Sequence, residues 1–258
     1  MDRGRLRQAI ERDLGLPNLN ILALDTSSEW CSAALWLDGR VSERDTKAGQ
    51  RHSELILVMI DALLRDAGIT LQQLHGIGFG AGPGSFTGLR IACGLAQGMA
   101  FGAGLTLAPI GTLDCLAQAS GARRVVSVLD ARMGEIYHGA YERVPAGWQT
   151  VCAPSLCHPQ DAPDLGGKGW VGCGSGFAAH GEVLRQRYDG VLDAIQPELY
   201  PHARDVAALA ALAFVNGKGV DPAQAAPLYI RDKVALSIVE RAERKQAAMD
   251  DASGQRTG

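Results

Sequence analysis

Apolar positions along this chain recur in two periods, and the switch between them marks the elements. Residues 20–26 form an apolar run that closes in Asp25-Thr26-Ser27, the pattern of a strand buried on both faces. Residues 31–37 and the alternating stretch 41–46 read as two further strands, with Asp38-Gly39 between them as a two-residue hairpin signal. Over 52–67 the period becomes helical: Leu55, Ile56, Met59, Ile60, Leu63 and Leu64 repeat every three to four positions, and Gly68 closes the run. A short strand at 77–79 leads through a glycine-rich turn into a long apolar helix starting near Thr87. Residues 105–108 form the next strand and 111–119 the next helix, with Thr112 as its candidate N-cap.

The pattern then restarts. Residues 124–130 are an apolar strand ending in an aspartate, and 135–141 a second strand after the turn at Met133-Gly134. Asp130 stands 105 positions after Asp25, each at the end of a strand and before a turn, which suggests two related half-domains. The rest is less regular. Residues 145–164 are rich in Pro and Ala and read as loop; 169–173 is a strand running into Gly174-Ser175-Gly176; 177–188 and 205–216 are helices; 226–231 is extended. The boundaries are therefore an extension over 1–19, a first half-domain over 20–110, a second over 111–235 whose helix near 202–216 can pack back on the first, and a charged tail over 236–258 expected to be disordered. Leu6, Ile10 and Leu14 suggest a short amphipathic helix in the extension, which has no signal-peptide core. The uncharged run 91–113 reaches membrane length, but Gln97, its glycines and Pro109 make it a buried helix, a strand and a turn.

The segment Gly80-Ala81-Gly82-Pro83-Gly84-Ser85-Phe86-Thr87-Gly88-Leu89-Arg90 carries the strongest local signal. A strand, a glycine turn and a helix bring free N–H groups and partial positive charge to one point, which suits an anion. Specific motifs fail. Gly88 is followed by Leu89-Arg90 and not by Lys-Ser/Thr; Thr87 occupies the sixth place of a dinucleotide fingerprint; Ser85 has Pro83 and Thr87 where a nucleophile elbow needs glycines. Two readings stay open: an anion or nucleotide cleft built from Asp25, Ser27, Gly82, Gly84, Ser85, Thr87, Gly88, Arg90 and Asp130, or a tight turn whose glycines allow close packing. Asp25 and Asp130 likewise either face each other around a metal–phosphate complex or merely end their strands.

A net charge of −3 does not advertise a nucleic-acid surface. Six cysteines, mostly inside apolar runs, fit buried thiols in a reducing cytoplasm, and Cys152, Cys157 and His158 do not follow a zinc spacing.

Taken together, residues 20–31 (NILALDTSSEWC), the glycine segment extended to Gly94 with its GPGSFTGLR core, and residues 226–235 (APLYIRDKVA) resemble the TsaB (YeaZ) family of tRNA threonylcarbamoyladenosine synthesis; the likeness covers about residues 20–235. The resemblance implies an α/β chain of the actin-like, Hsp70-like sugar-kinase fold, with two related half-domains of mixed sheets flanked by helices. It implies a non-catalytic scaffold or activating subunit that pairs with the transferase TsaD, with TsaE joining as an ATPase, and that meets tRNA only indirectly. TsaD carries a metal-binding histidine pair spaced four apart; here the residue four after His52 is Ile56, so no metal site and no catalytic residue are expected in this chain. ATP or ADP and a metal ion would belong to the partner subunits. The apolar positions of helix 52–67 wrap more than one face, so it is either sandwiched in its own fold or docked on a partner. The resemblance favours the partner, a TsaD-like subunit or a second copy in a homodimer, with His52, Glu54, Leu55, Leu57, Val58, Ile60 and Leu64 as interface. The alternative is an ATP-dependent phosphotransferase or ATPase acting through Asp25 and Asp130.

Overall fold

The computed structural model describes residues 19–145 and 147–231. The chain divides into two units, Met1–Leu228 and Tyr229–Gly258, of which the second is described only over Tyr229–Arg231. The helix expected in the extension and the tail after 236 lie outside the described residues. Everything below concerns the first unit.

Strand β1 (Asn20–Asp25) is buried from Ile21 onward because helices cover both its faces. Its neighbours β2 (Trp30–Leu37) and β3 (Arg40–Lys47) follow as antiparallel hairpins. Asp38 and Gly39 both have positive φ, as a tight two-residue turn between right-twisted strands requires. Helix α1 (His52–Ala67) ends on Gly68 in the left-handed conformation. Strand β4 (Gly76–Gly82) then enters parallel to β1, helix α2 (Phe86–Ala103) crosses back, and β5 (Thr106–Gly111) adds parallel to β4. The sheet order is β3-β2-β1-β4-β5.

Helix α3 (Thr112–Ser120) carries the chain into the second half, where β6 (Arg124–Arg132), β7 (Glu135–Val144), β8 (Gly147–Cys157), β9 (Trp170–Cys173) and β10 (Leu192–Gln196) pair in the order β10-β9-β6-β7-β8. Read from β8, this is the order of the first sheet, with β6 in the place of β1. The repeat suggested by Asp25 and Asp130 is thus a repeat of whole sheets, and the architecture is the two-half actin-like α/β fold. The short helices α4 (Ser175–Ala179) and α5 (Gly181–Arg187) stand where α2 stands in the first half.

Helix α6 (Ala203–Val215) returns from the second half and packs its alanines on the open face of the first sheet. Gly78 of β4 makes this possible: a Cβ there would lie 2.7 Å from the Ala210 methyl. The uncharged run 91–113 resolves into the end of α2, strand β5 and the start of α3, and no helix among the described residues is long and apolar enough to cross a membrane.

Three local expectations are corrected. Residues 145–164 are not loop throughout, because β8 occupies eleven of them; the preceding strand β7 supplies its ladder as an antiparallel hairpin, and its edge position tolerates Pro154. The helix expected over 177–188 is two, broken at His180. Thr112 does not cap α3; Gly111 holds the N-cap position, and the Thr112 hydroxyl finds no partner among the described residues.

Candidate functional site

The glycine segment is built against the turn that follows β1. Ser85 is the N-cap of α2, its Oγ accepting from the Gly88 N–H, while its own N–H donates to the Ser27 carbonyl at 2.7 Å. The Thr26 hydroxyl donates to the Gly88 carbonyl at 2.7 Å. A Cβ at Gly84 would stand 2.4 Å from the Ser27 carbonyl oxygen, and one at Gly88 would stand 1.8 Å from that of Thr26. These two glycines therefore let helix and turn touch backbone to backbone. That is the close-packing reading of the segment.

Asp25 lies beneath this contact. It has no exposed surface, and its carboxylate accepts from the Ser27 N–H at 3.0 Å and the Ser27 hydroxyl at 2.9 Å. Gly80 of β4 leaves it room, since a Cβ there would meet the Asp25 Oδ2. Burial pushes the carboxyl up to about 7, against the two Ser27 bonds that favour its charged form.

A cleft of about 990 Å³ opens between the halves. Ser27, Gly84, Ser85, Thr87, Gly88 and Asp130 line it; Asp25, Gly82 and Arg90 do not. Of the two arrangements left open for Asp25 and Asp130, the one with both facing each other across the cleft is thus not formed. Asp25 is sealed under Ser27, Gly82 is buried, and Arg90 sits outside with its guanidinium 3.8 Å above the Phe86 ring. Asp130 is in the wall, but its carboxylate is engaged by the Arg132 N–H at 2.9 Å and the Arg132 guanidinium at 3.1 Å, with His180 Nε2 at 3.7 Å. Arg132 and Met133 both take positive φ in this turn, beside an irregularity in the β6–β7 register. Among the described residues no three His, Cys, Asp or Glu side chains converge as a metal site.

The second candidate surface is the outer side of α1 and α2, which share the core on one face of the first sheet. The seven expected interface residues of α1 separate by burial. His52 and Ile60 belong to the interior, His52 with its Nε2 2.9 Å from the Ser28 carbonyl. Leu55 and Leu64 are half-buried against the core. Glu54, Leu57 and Val58 point outward, Leu57 50% and Val58 66% exposed. His52 and Ile60 are therefore corrected to core positions, because the helical period places them with Ile56 and Leu63 over the sheet. Sequence reasoning missed Phe101 of α2, 62% exposed, and Gly94, Gly98 and Gly102, exposed at every fourth position with nothing within 4 Å of a Cβ at any of them. The four-residue spacing of those glycines was a readable signal of one small-residue face.

Comparison with known proteins places these features in a lineage. The family model for TsaD, tRNA N6-adenosine threonylcarbamoyltransferase, matches residues 45–236. The tRNA threonylcarbamoyladenosine biosynthesis protein TsaB of Escherichia coli K12 is 37% identical over 227 residues, covering 84% of this chain and 96% of that protein. The protein of the same name from Haemophilus influenzae is 34% identical over 232 residues, covering 85% and 96%. Among solved structures, a Pseudomonas aeruginosa protein described as similar to peptidase YeaZ superposes with a TM-score of 0.77 at 35% identity, covering 83% of this chain and 100% of that one. YeaZ from the same organism superposes at 0.75 and 35%, covering 82% and 99%.

Proposed function

The chain belongs to the TsaB family, and from that membership we propose that it is a non-catalytic scaffold in tRNA threonylcarbamoyladenosine synthesis. It docks through the outer face of α1 and α2 on a TsaD-like transferase subunit in the cytoplasm, with a TsaE-like ATPase joining the assembly and tRNA met through the partners. When the transferase subunit is absent, the same face pairs two copies of this chain.

The observation that carries the reading is the exposure of Leu57 and Val58 on α1 and of Phe101 and three glycines on α2, two helices that pack on the same face of the first sheet. Large apolar side chains left half or more in water on adjacent helices suit burial by a partner. Glycines at positions 94, 98 and 102 let another helix approach the α2 backbone closely. Two further features support a non-catalytic role. Asp25 is sealed from the cleft, and Asp130 is held by Arg132. The alternative ATPase needs both carboxylates free around one metal–phosphate group, so this geometry disfavours it. ATP or ADP and a metal ion are assigned to the partner subunits.

Leu57→Glu and Val58→Glu test the reading. Both sites are exposed, so the fold should persist. In the complex each variant would bury a carboxylate, which costs about 2 kcal/mol or more and weakens binding about thirtyfold or more. Co-purification with the TsaD-like subunit from the same organism should be lost in both. Undiminished complex formation by folded variants would defeat the proposal.

A further inference from the structure

We propose that Asp25 is a proton-operated latch: carried neutral, it keeps the turn after β1 clamped on the first turn of α2, and its ionisation releases that turn toward the cleft.

The geometry supplies each link. Asp25 is fully buried and, among the described residues, has no ion-pair partner; its hydrogen-bond donors are the two groups of Ser27. A carboxylate in that position lacks the hydration or counter-charge that would stabilise it. Ser27, the residue bonded to its carboxylate, lines the cleft. Ser27 is also the residue whose carbonyl accepts the Ser85 N–H, and Ser85 caps α2. The backbone contacts at Gly84 and Gly88 leave no slack between turn and helix. A turn that moves to hydrate Asp25 must therefore break the Ser27–Ser85 bond or carry the end of α2 with it.

The described groups that surround Asp25 supply no counter-charge to it. Cys31 of β2 and Cys115 of α3 are within electrostatic reach of it, and burial pushes both thiols up so that they stay neutral. Asp114 of α3 is a second carboxyl pushed up by burial, opposed by the bond it accepts from the Tyr141 hydroxyl, so the Asp25→Asn control separates its titration from that of Asp25; β4 offers only Gly80 at the contact. From α2 come Cys93 and the outward-turned Arg90; from α6 come Arg204, which pairs with Glu43, and Asp205 beside it. The opposition between burial and the Ser27 bonds sets the carboxyl at about 7. A proton taken up or lost near neutrality would then alter the end of the helix that bears the docking face. That consequence rests on the proposed function, but the latch does not.

The test is an NMR titration of the isolated, full-length chain between pH 5 and 9, following the Asp25 carboxyl carbon and the Ser27 and Ser85 amides. In the wild type all three should shift together with one midpoint near 7. Asp25→Asn, which keeps an acceptor oxygen for Ser27, should abolish the amide titration. Ser27→Ala removes a donor that favours the charged form, so its midpoint should move to higher pH. An Asp25 carboxyl that titrates near 4, or a Ser85 amide that does not follow it, would overturn the latch. Because no TsaD-like subunit is present and neither Asp25 nor Ser85 is among the proposed docking residues, failure of this experiment leaves the docking proposal untouched, and loss of the docking proposal leaves the latch untouched.

Discussion

Replacing Asp25 by Asn should stabilise the protein, and by an amount that depends on pH. In the folded chain burial raises the carboxyl from its ordinary 3.8 to about 7. Between those values the unfolded chain has released a proton that the folded chain still holds, so the wild type loses stability as pH rises from about 4 to about 7 and loses no more above it. At about 1.4 kcal/mol per pH unit, the full loss attributable to this one group is about 4 kcal/mol. Asn cannot ionise and still offers an oxygen to the Ser27 donors. Urea unfolding of both proteins at half-unit steps from pH 4 to 8.5 gives the measurement. The quantity to follow is the difference between the two unfolding free energies, in which every other titrating group cancels. That difference should grow with pH in favour of Asp25→Asn and level off near 7. A difference that stays constant across the range, or that grows as pH falls, would show that Asp25 is not held neutral by burial.

His138 should act with the opposite sign. It is buried on β7 with Nε2 2.9 Å from the Tyr188 hydroxyl, and burial, aided by Arg187, lowers it from 6.5 to about 4; stability is therefore present above about 6.5 and lost by up to about 3 kcal/mol as pH falls toward 4. Thermal unfolding of His138→Gln should show a flatter acid limb, and an unchanged limb would refute the assignment. Calorimetry of the isolated chain with ATP and magnesium should show no micromolar binding, since Gly84 and Gly88 are packed against the chain's own carbonyls and Asp25 is sealed; a micromolar Kd would restore the ATPase reading.

The parts of this fold that were legible in the sequence are those set by local chemistry. The run ending in Asp25, the Asp38-Gly39 turn, the helix closed by Gly68 and the strand–glycine–helix segment all carry their signals within a few residues. The repeat was legible because each half starts with the same strand–aspartate–turn. What escaped carries weak local signals or depends on distant partners. Strand β8 has weak alternation and a proline, and becomes a strand because β7 lies beside it. The helix expected over 177–188 has no proline at its break, and the one local mark, Gly181 directly after His180, is a weak breaker inside an otherwise helical pattern. The site was half legible for the same reason. Composition pointed to the glycine segment, but whether those glycines face a ligand or another stretch of backbone is decided by the Thr26–Ser27 turn, some sixty residues earlier in the chain.

The two halves share one sheet order, so the places where they differ show what was added to a common plan. Between β3 and β4 the first half inserts α1, sixteen residues long; between β8 and β9 the second half has a single helical turn at Pro159–Asp161 and extended chain. Between β4 and β5 stands α2, eighteen residues with an exposed glycine face; between β9 and β10 stand two short helices broken at His180. Neither sheet needs a second exposed apolar surface to close its core: the second half buries Val126, Val128, Ile136, Trp170 and Phe177 under shorter helices. Leu57, Val58 and Phe101 are therefore surplus to the fold's own packing. A stability screen at concentrations where the chain is monomeric should find these three positions nearly neutral, whereas Ile56 and Ile60, one helical face away, should each lose about 2–5 kcal/mol on truncation to alanine. If instead Leu57→Ala and Val58→Ala unfold the isolated protein as readily as Ile56→Ala, the outer face of α1 is part of the core, and docking loses its physical basis.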